Sequence, residues 1–240
     1  MTAPLAVIVP TRGRPQNAAR LAQAFRDTDA LNALPVFVAD IDDPELDGYR
    51  RLLDEEKIPR LMIQDRSRGK GLCAALNYAA VRYAEIYEAV GFMGDDHMPR
   101  TLGWDDRMID ALDSLEPRIV YGNDLLQGAN LPTAVFMQSR MVTAMEMMAP
   151  ADMRHLYLDN FWKELGEALG GLVYLPDVVI EHLHPVNGKA AWDERYQVVN
   201  APERDHEDRR AWTEYRSDGR FDVLVRNLRR EYGLDPYQTA

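Results

Sequence analysis

At 240 residues and a net charge of −11 (39 acidic against 28 basic side chains), the chain fits one domain, or one with an appendage, and lacks the broad cationic face that nucleic-acid phosphates require. A hydrophobic fraction of 46% supplies a core, yet no apolar run approaches the roughly 20 residues of a membrane span. One cysteine, Cys73, excludes an intrachain disulfide and fits a reducing compartment, so a cytoplasmic protein with no leader is expected.

Residues 5–9, Leu-Ala-Val-Ile-Val, form a continuous apolar run, as a strand buried on both faces requires. Pro10-Thr11-Arg12-Gly13-Arg14-Pro15 breaks it. Pro15 suits the first turn of a helix reaching residue 27, with Ala19, Leu21, Ala22 and Phe25 as its apolar positions. A strand over 35–39 ends in Asp40-Ile41-Asp42-Asp43, followed by a helix over 45–56 and a short strand over 60–63. Asp65-Arg66-Ser67-Arg68-Gly69-Lys70-Gly71 comes next. A helix over 72–87 then leads to Ala89-Val90-Gly91-Phe92-Met93, which empties into Gly94-Asp95-Asp96-His97, and Met98-Pro99 is expected to stop the strand. Four alternations of strand and helix predict a mostly parallel α/β sheet flanked by helices, with four charged strand exits on one rim.

The second half is less regular. A helix is expected over 104–115, strands over 119–122 and 133–137 around a Gly/Asn loop, and a Met-rich helix over 139–148. Asp159 stands at the N-cap position of a helix over 158–169. Two strands, 172–175 and 178–183, are expected to meet at a turn, Pro176-Asp177, the second ending in His182-Leu183-His184-Pro185. Charged helical segments over 190–199, 203–215 and 221–232 predict a helical extension, 187–240, packed on a main domain, 1–186.

Carboxylates at the end of a buried strand are costly unless something positive meets them. A divalent cation that also holds phosphate oxygens meets that need, and a solvated acidic turn is the plain alternative. His182 and His184, two apart, share a face of a strand, and Asp with His suits Mn²⁺ or Mg²⁺. Arg12, Arg14, Arg68 and Lys70 suit a diphosphate, with Gly69 and Gly71 allowing close backbone approach. The spacing matches neither a Walker loop nor a dinucleotide fingerprint. Asp159 is either a cap or a general base, Trp162 one turn on is either core or a stacking platform, and Cys73 is core.

Taken in order, Val7-Ile8-Val9-Pro10-Thr11-Arg12-Gly13-Arg14, Asp40, Gly69-x-Gly71 followed by Ala75 and Asn77, Phe92-Met93-Gly94-Asp95-Asp96, Tyr157-Leu158-Asp159 and the late histidines resemble the GT-A glycosyltransferases of the family 2 type. The resemblance spans roughly 5–185. It implies a Rossmann-like GT-A sheet and metal-dependent transfer of a sugar from a nucleotide-diphosphate sugar to a hydroxyl acceptor. Donor contacts would fall at Pro10, Thr11, Arg12, Arg14, Asp40, Arg68, Lys70, Asn77 and Asp95. Asp96 would bind the metal together with His184, or with His182 as the alternative. Counting back from Pro99, Gly94 stands where the family's first Asp does, so Asp95-x-His97 stays open as a metal motif. Asp159 would be the base of an inverting reaction.

Other functions compete. A sugar nucleotidyltransferase would carry a Gly-rich first loop with a Lys, where this chain has arginines. A non-catalytic nucleotide-sugar binder would lack Asp159. A transferase acting on modified DNA bases, as in some phages, sits poorly with the acidic charge.

Overall fold

The computed structural model describes residues 4–65, 69, 71–199 and 201–235. Arg68 and Lys70, two expected diphosphate contacts, lie outside the described residues, as does Arg66.

The elements follow in chain order: β1 (Leu5–Pro10), α1 (Pro15–Asp27), β2 (Ala33–Asp40), α2 (Leu46–Asp54), β3 (Leu61–Gln64), α3 (Leu72–Ala84) and β4 (Ala89–Phe92). Then come β5 (His97–Pro99), α4 (Trp104–Leu112), β6 (Ile119–Asn123), β7 (Val135–Gln138), α5 (Ser139–Met145), α6 (Leu158–Leu169) and β8 (Leu172–His182). Three helices close the chain: α7 (Glu194–Val199), α8 (Pro202–Ser217) and α9 (Arg220–Glu231).

The strand order is β3-β2-β1-β4-β7-β6-β8-β5. The first four strands are parallel, β4–β7–β6 pair antiparallel, and β6–β8 returns to parallel. β1 lies near the middle and is buried along its whole length. Its side chains alternate between two cores. Leu5, Val7 and Val9 pack with Leu21 and Phe25 of α1, and Ile8 packs on the other face with Leu76 and Ala80 of α3. An uninterrupted apolar run is what such a two-sided strand demands.

Two expectations need correction. Met98-Pro99 does not stop the sheet: after a tight turn, in which His97 N–H donates to the Gly94 carbonyl, His97–Pro99 forms β5 and pairs antiparallel with β8. Pro99 is tolerated because β5 is an edge strand, where a missing N–H breaks no ladder. Pro176-Asp177 does not divide two strands either. β8 runs through it, and its register with β6 jumps from Gly122↔Leu175 to Asn123↔Val179. The extra residues bulge outward, and Pro176 sits where no ladder bond is needed.

Helices α8 and α9 share the core of the sheet's α3 side. Trp212, Tyr215 and Leu228 join Phe161 and Leu165 of α6, with Phe161 edge-on to Trp212 at 6.0 Å and to Tyr215 at 6.2 Å.

Candidate active site

A cavity of about 300 Å³ opens beyond the carboxyl ends of the parallel strands, where ligands of such sheets bind. It collects Pro10, Thr11, Arg12 and Arg14 from the β1 exit, Asp40 from β2, and Asp95 and Asp96 after β4. Asp159, His182 and His184 reach it from the second half of the chain. Asn77 is not among the lining residues. Its side chain instead accepts from Met148 N–H at 2.7 Å and Ala149 N–H at 3.0 Å, and donates to the Ala149 carbonyl, tying α3 to the segment after α5.

The loop after β1 is shaped by buried partners. Thr11 Oγ1 donates to Asp95 Oδ2 at 2.6 Å, so Tyr49 Oη, 2.9 Å away, donates to Thr11. Tyr49 Oη also accepts from Arg14 N–H at 2.8 Å, and Asp43 accepts from Gly13 N–H. Asp40 receives Arg12 Nη1 at 3.1 Å and the side-chain amide of Gln64.

Asp95 and Asp96 point opposite ways. Asp95 faces Thr11 and, at 3.5 Å, Arg14 Nη1. Burial and the neighbouring Asp96 push its carboxyl up to about 6 despite those partners. Asp96 faces two imidazoles, His182 Nε2 at 3.6 Å and His97 Nδ1 at 3.5 Å. Burial works to raise Asp96 too, but His182 outweighs it and holds it well below the usual carboxylate range. The same contact works on His182: burial opposes its charge, and Asp96, backed by Asp159 and Asp124, raises it above the ordinary imidazole value.

Gly94, where the related motif carries an Asp, has no room for a side chain. A Cβ there would sit 2.5 Å from Asp96 Oδ1 and 3.0 Å from His97 Nδ1. Asp96, His97 and His182 form the one cluster of three potential metal ligands among the described residues. His97 Nδ1, however, already accepts from Gly94 N–H at 2.9 Å, and an imidazole nitrogen has one lone pair. Its Nε2 meets Thr133 Oγ1 at 3.4 Å, and that hydroxyl donates to Asp124 Oδ2 at 2.8 Å. His97 therefore braces the acidic turn. Asp96 and His182 Nε2 are left as the oxygen–nitrogen pair facing the cavity, a donor set that suits Mn²⁺ more than Mg²⁺. His182 Nδ1 is buried with no hydrogen-bond partner among the described residues. His184 stands one step out: its Nδ1 accepts from Val186 N–H at 3.2 Å, and its ring packs on Tyr196.

Asp159 is not an N-cap. Tyr157 takes that position with a left-handed φ of 67°, and Asp159 is the second residue of α6. Its side chain lines the cavity and makes no hydrogen bond among the described residues. Burial pushes its carboxyl up to about 7 against the pull of His182. A carboxylate that is poised near neutrality and unencumbered can accept a proton. Trp162 is core: fully buried, it donates its indole N–H to the Met148 carbonyl at 2.8 Å.

Two polar residues near the site, Tyr196 and Asp193, carried no role in the sequence. Tyr196 Oη donates to Asp96 Oδ2 at 2.6 Å, and its ring lies 4.2 Å beneath the Arg14 guanidinium. Arg14 Nη2 reaches Asp193 at 2.7 Å. Asp193 and Tyr196 thus rest on the two groups expected to meet metal and diphosphate. No local pattern announces contacts across roughly a hundred residues or more.

No protein-family model matches the chain, and no curated protein does. Solved structures do. The chain is similar to the mannosyltransferase PcManGT from Pyrobaculum calidifontis, solved with GDP-Man and Mn²⁺, at 15% identity and a TM-score of 0.63, over 96% of this chain and 74% of that one. It is similar to S. aureus TarS 1–349 at 16% identity and a TM-score of 0.54, over 97% and 80%. A third similar structure is glucosyl-3-phosphoglycerate synthase from Mycobacterium tuberculosis, solved with Mn²⁺, UDP and glucosyl-3-phosphoglycerate, at 10% identity and a TM-score of 0.56, over 96% and 80%. At such identities the likeness shows the fold, which is the GT-A fold. Among the described residues, no helix is long and apolar enough to cross a membrane.

Proposed function

We propose that this chain is a metal-dependent glycosyltransferase that moves a sugar from a nucleotide-diphosphate sugar to a hydroxyl acceptor with inversion. One observation carries the proposal: Asp96, facing His182, and Asp159, with no hydrogen bond among the described residues, share a cavity at the carboxyl edge of a GT-A sheet. The named neighbours, solved with GDP-Man or UDP and with Mn²⁺, support the donor class.

Each group then has a task. Asp40, steadied by Arg12 and Gln64, accepts from the nucleobase edge. Thr11 and Arg14 hold Asp95 at the ribose side. Asp96 and His182 would hold Mn²⁺ or Mg²⁺, with His184 next in reach, and the bound cation supplies positive charge for the departing diphosphate. Asp159 takes the acceptor's hydroxyl proton as the oxygen attacks the anomeric carbon from the face opposite the diphosphate. One C–O bond forms, one breaks, and the proton ends on Asp159.

The test is release of nucleoside diphosphate from UDP- and GDP-sugars in Mn²⁺, followed from pH 5.5 to 9. Asp159 must be ionised to act, and its folded carboxyl sits at about 7. The rate is therefore expected to climb about tenfold per pH step below 7 and level off above it. A flat profile contradicts the base, and no release from any donor contradicts the function.

Asp193 gives a second prediction. It holds the Arg14 guanidinium that the diphosphate needs, so Asp193→Ala should tighten nucleoside diphosphate binding. For a partly exposed ion pair the gain is roughly two- to fivefold, read by calorimetry. Weaker binding in that variant argues against Arg14 as a phosphate contact.

A further inference from the structure

Resting on the glycosyltransferase reading, we infer that Asp208, on the C-terminal helix α8, is a positioning residue for the transfer site. It lies outside the cavity, yet it governs a wall of it.

Helix α8 is among the most highly charged segments of the chain, and Asp208 is its one buried carboxylate, at 1% exposure. Burying it is costly unless its oxygens are filled. Three consecutive backbone N–H groups fill them: Arg154 donates to Oδ1 at 2.9 Å, and His155 and Leu156 to Oδ2 at 3.0 and 2.9 Å. Successive N–H groups converging on one anion form a nest, here closed by a side chain from another element. Asp205, one turn before Asp208, and Arg209, the residue after it, take the residue after Leu156. Tyr157 Oη donates to Asp205 Oδ1 at 2.9 Å and accepts from Arg209 Nε at 2.8 Å.

The gripped strap, 154–157, borders both halves of the site. His155, Leu156 and Tyr157 line the cavity. On the donor side, the Arg154 carbonyl accepts from Cys73 N–H at the start of α3, and it lies where a Cβ on Gly71 would come within 2.7 Å. On the acceptor side, Tyr157 in its left-handed conformation starts α6, with Asp159 two residues on. A non-glycine residue holds that backbone only when its surroundings impose it. Asp208, with Asp205 and Arg209, imposes it, so the C-terminal extension sets where the base stands relative to the donor-binding edge.

The test compares Asp208→Asn with Leu228→Ala in the full chain. Leu228 lies in the same core on α9 and its apolar side chain makes none of the hydrogen bonds that grip the strap, so its loss destabilises without removing them. Asp208→Asn leaves three partly buried N–H groups without their anion. Amide exchange at residues 154–156 should accelerate at least 100-fold, and kcat for the donor reaction should fall at least tenfold with KM for the donor shifting less than threefold. Leu228→Ala, assayed well below its melting temperature, should keep both within twofold of wild type. If Asp208→Asn does not fold, Asp205→Asn, which weakens the grip on Tyr157 Oη and on its partner Arg209 while leaving the three backbone bonds to Asp208, should move both readouts the same way by smaller factors. Unchanged exchange in the Asp208 variant, or faster exchange with wild-type kcat, overturns the inference. A wild-type protein that turns over no donor removes the transferase function and this role with it, an outcome visible in the wild-type assay alone.

Discussion

Asp159→Asn should abolish transfer while leaving metal-dependent donor binding intact, and it should make the protein more stable. The first effect follows from chemistry. An amide accepts no proton at neutral pH, and losing a positioned general base costs about 10²- to 10⁴-fold in rate. Donor affinity should hold because Asp159 reaches the cavity from α6, whereas the proposed donor contacts come from the β1, β2 and β4 exits. The second effect follows from linkage. The carboxyl sits at about 7 when folded and at roughly 3.9 in an unfolded chain. A group raised on folding keeps its proton longer in the native state, so native stability falls as pH rises from about 4 to 7. At pH 8 that loss reaches at most about 4 kcal/mol, and the asparagine does not incur it. In EDTA, Asp159→Asn should therefore melt at higher temperature than wild type at pH 8, and the gain should vanish near pH 4. A variant that transfers normally rules Asp159 out as base. One that is destabilised at pH 8 shows its carboxylate to be structurally satisfied there.

Asp96→Asn should remove metal dependence from donor binding. Asp96 is the single carboxylate of the Asp-His-His cluster, and its neighbour Asp95 is turned away toward Thr11 and Arg14. Replacing an outer partner of a metal ligand costs roughly 10–100-fold in affinity, and replacing the anionic ligand itself should cost more. The fold should tolerate the change, because the asparagine oxygen still accepts from Tyr196. His97→Gln, by contrast, should weaken metal binding only through the acidic turn, since the His97 nitrogen nearest Asp96 is already engaged by Gly94. Calorimetric titration with Mn²⁺ separates the two. Equal losses would make His97 a direct ligand.

The parts legible in the sequence are those encoded locally. The β1 run is continuous because both its faces are buried, and Pro15 and Gly71 mark two of the exits that frame the cavity. Asp96, Asp159 and the pair His182 and His184 draw attention because carboxylates and imidazoles collect at strand and helix ends, but the sequence puts His184 ahead of His182 and leaves a cap as an equal reading of Asp159. What stayed hidden depends on pairing. His97 meets His182 only because β5 and β8 pair in register, stacking the rings at 4.3 Å. β8 passes through Pro176 because a bulge against β6 absorbs the surplus residues. Asp159 moves from cap to second helical position because Tyr157 adopts a left-handed backbone that α8 enforces. Tyr196, 100 residues from the Asp96 it touches, has no signature at all beyond being an aromatic in a charged segment.

The central claim is that Asp96 and its imidazole neighbour hold a cation that binds a nucleotide-diphosphate sugar. It is tested most directly by titrating UDP- and GDP-sugars into wild type and Asp96→Asn, each with Mn²⁺ and with EDTA. At least one donor should bind wild type in Mn²⁺, bind it far more weakly in EDTA, and show no metal effect in the variant. Binding that is equal in Mn²⁺ and EDTA, or metal-dependent in both proteins, would contradict the account.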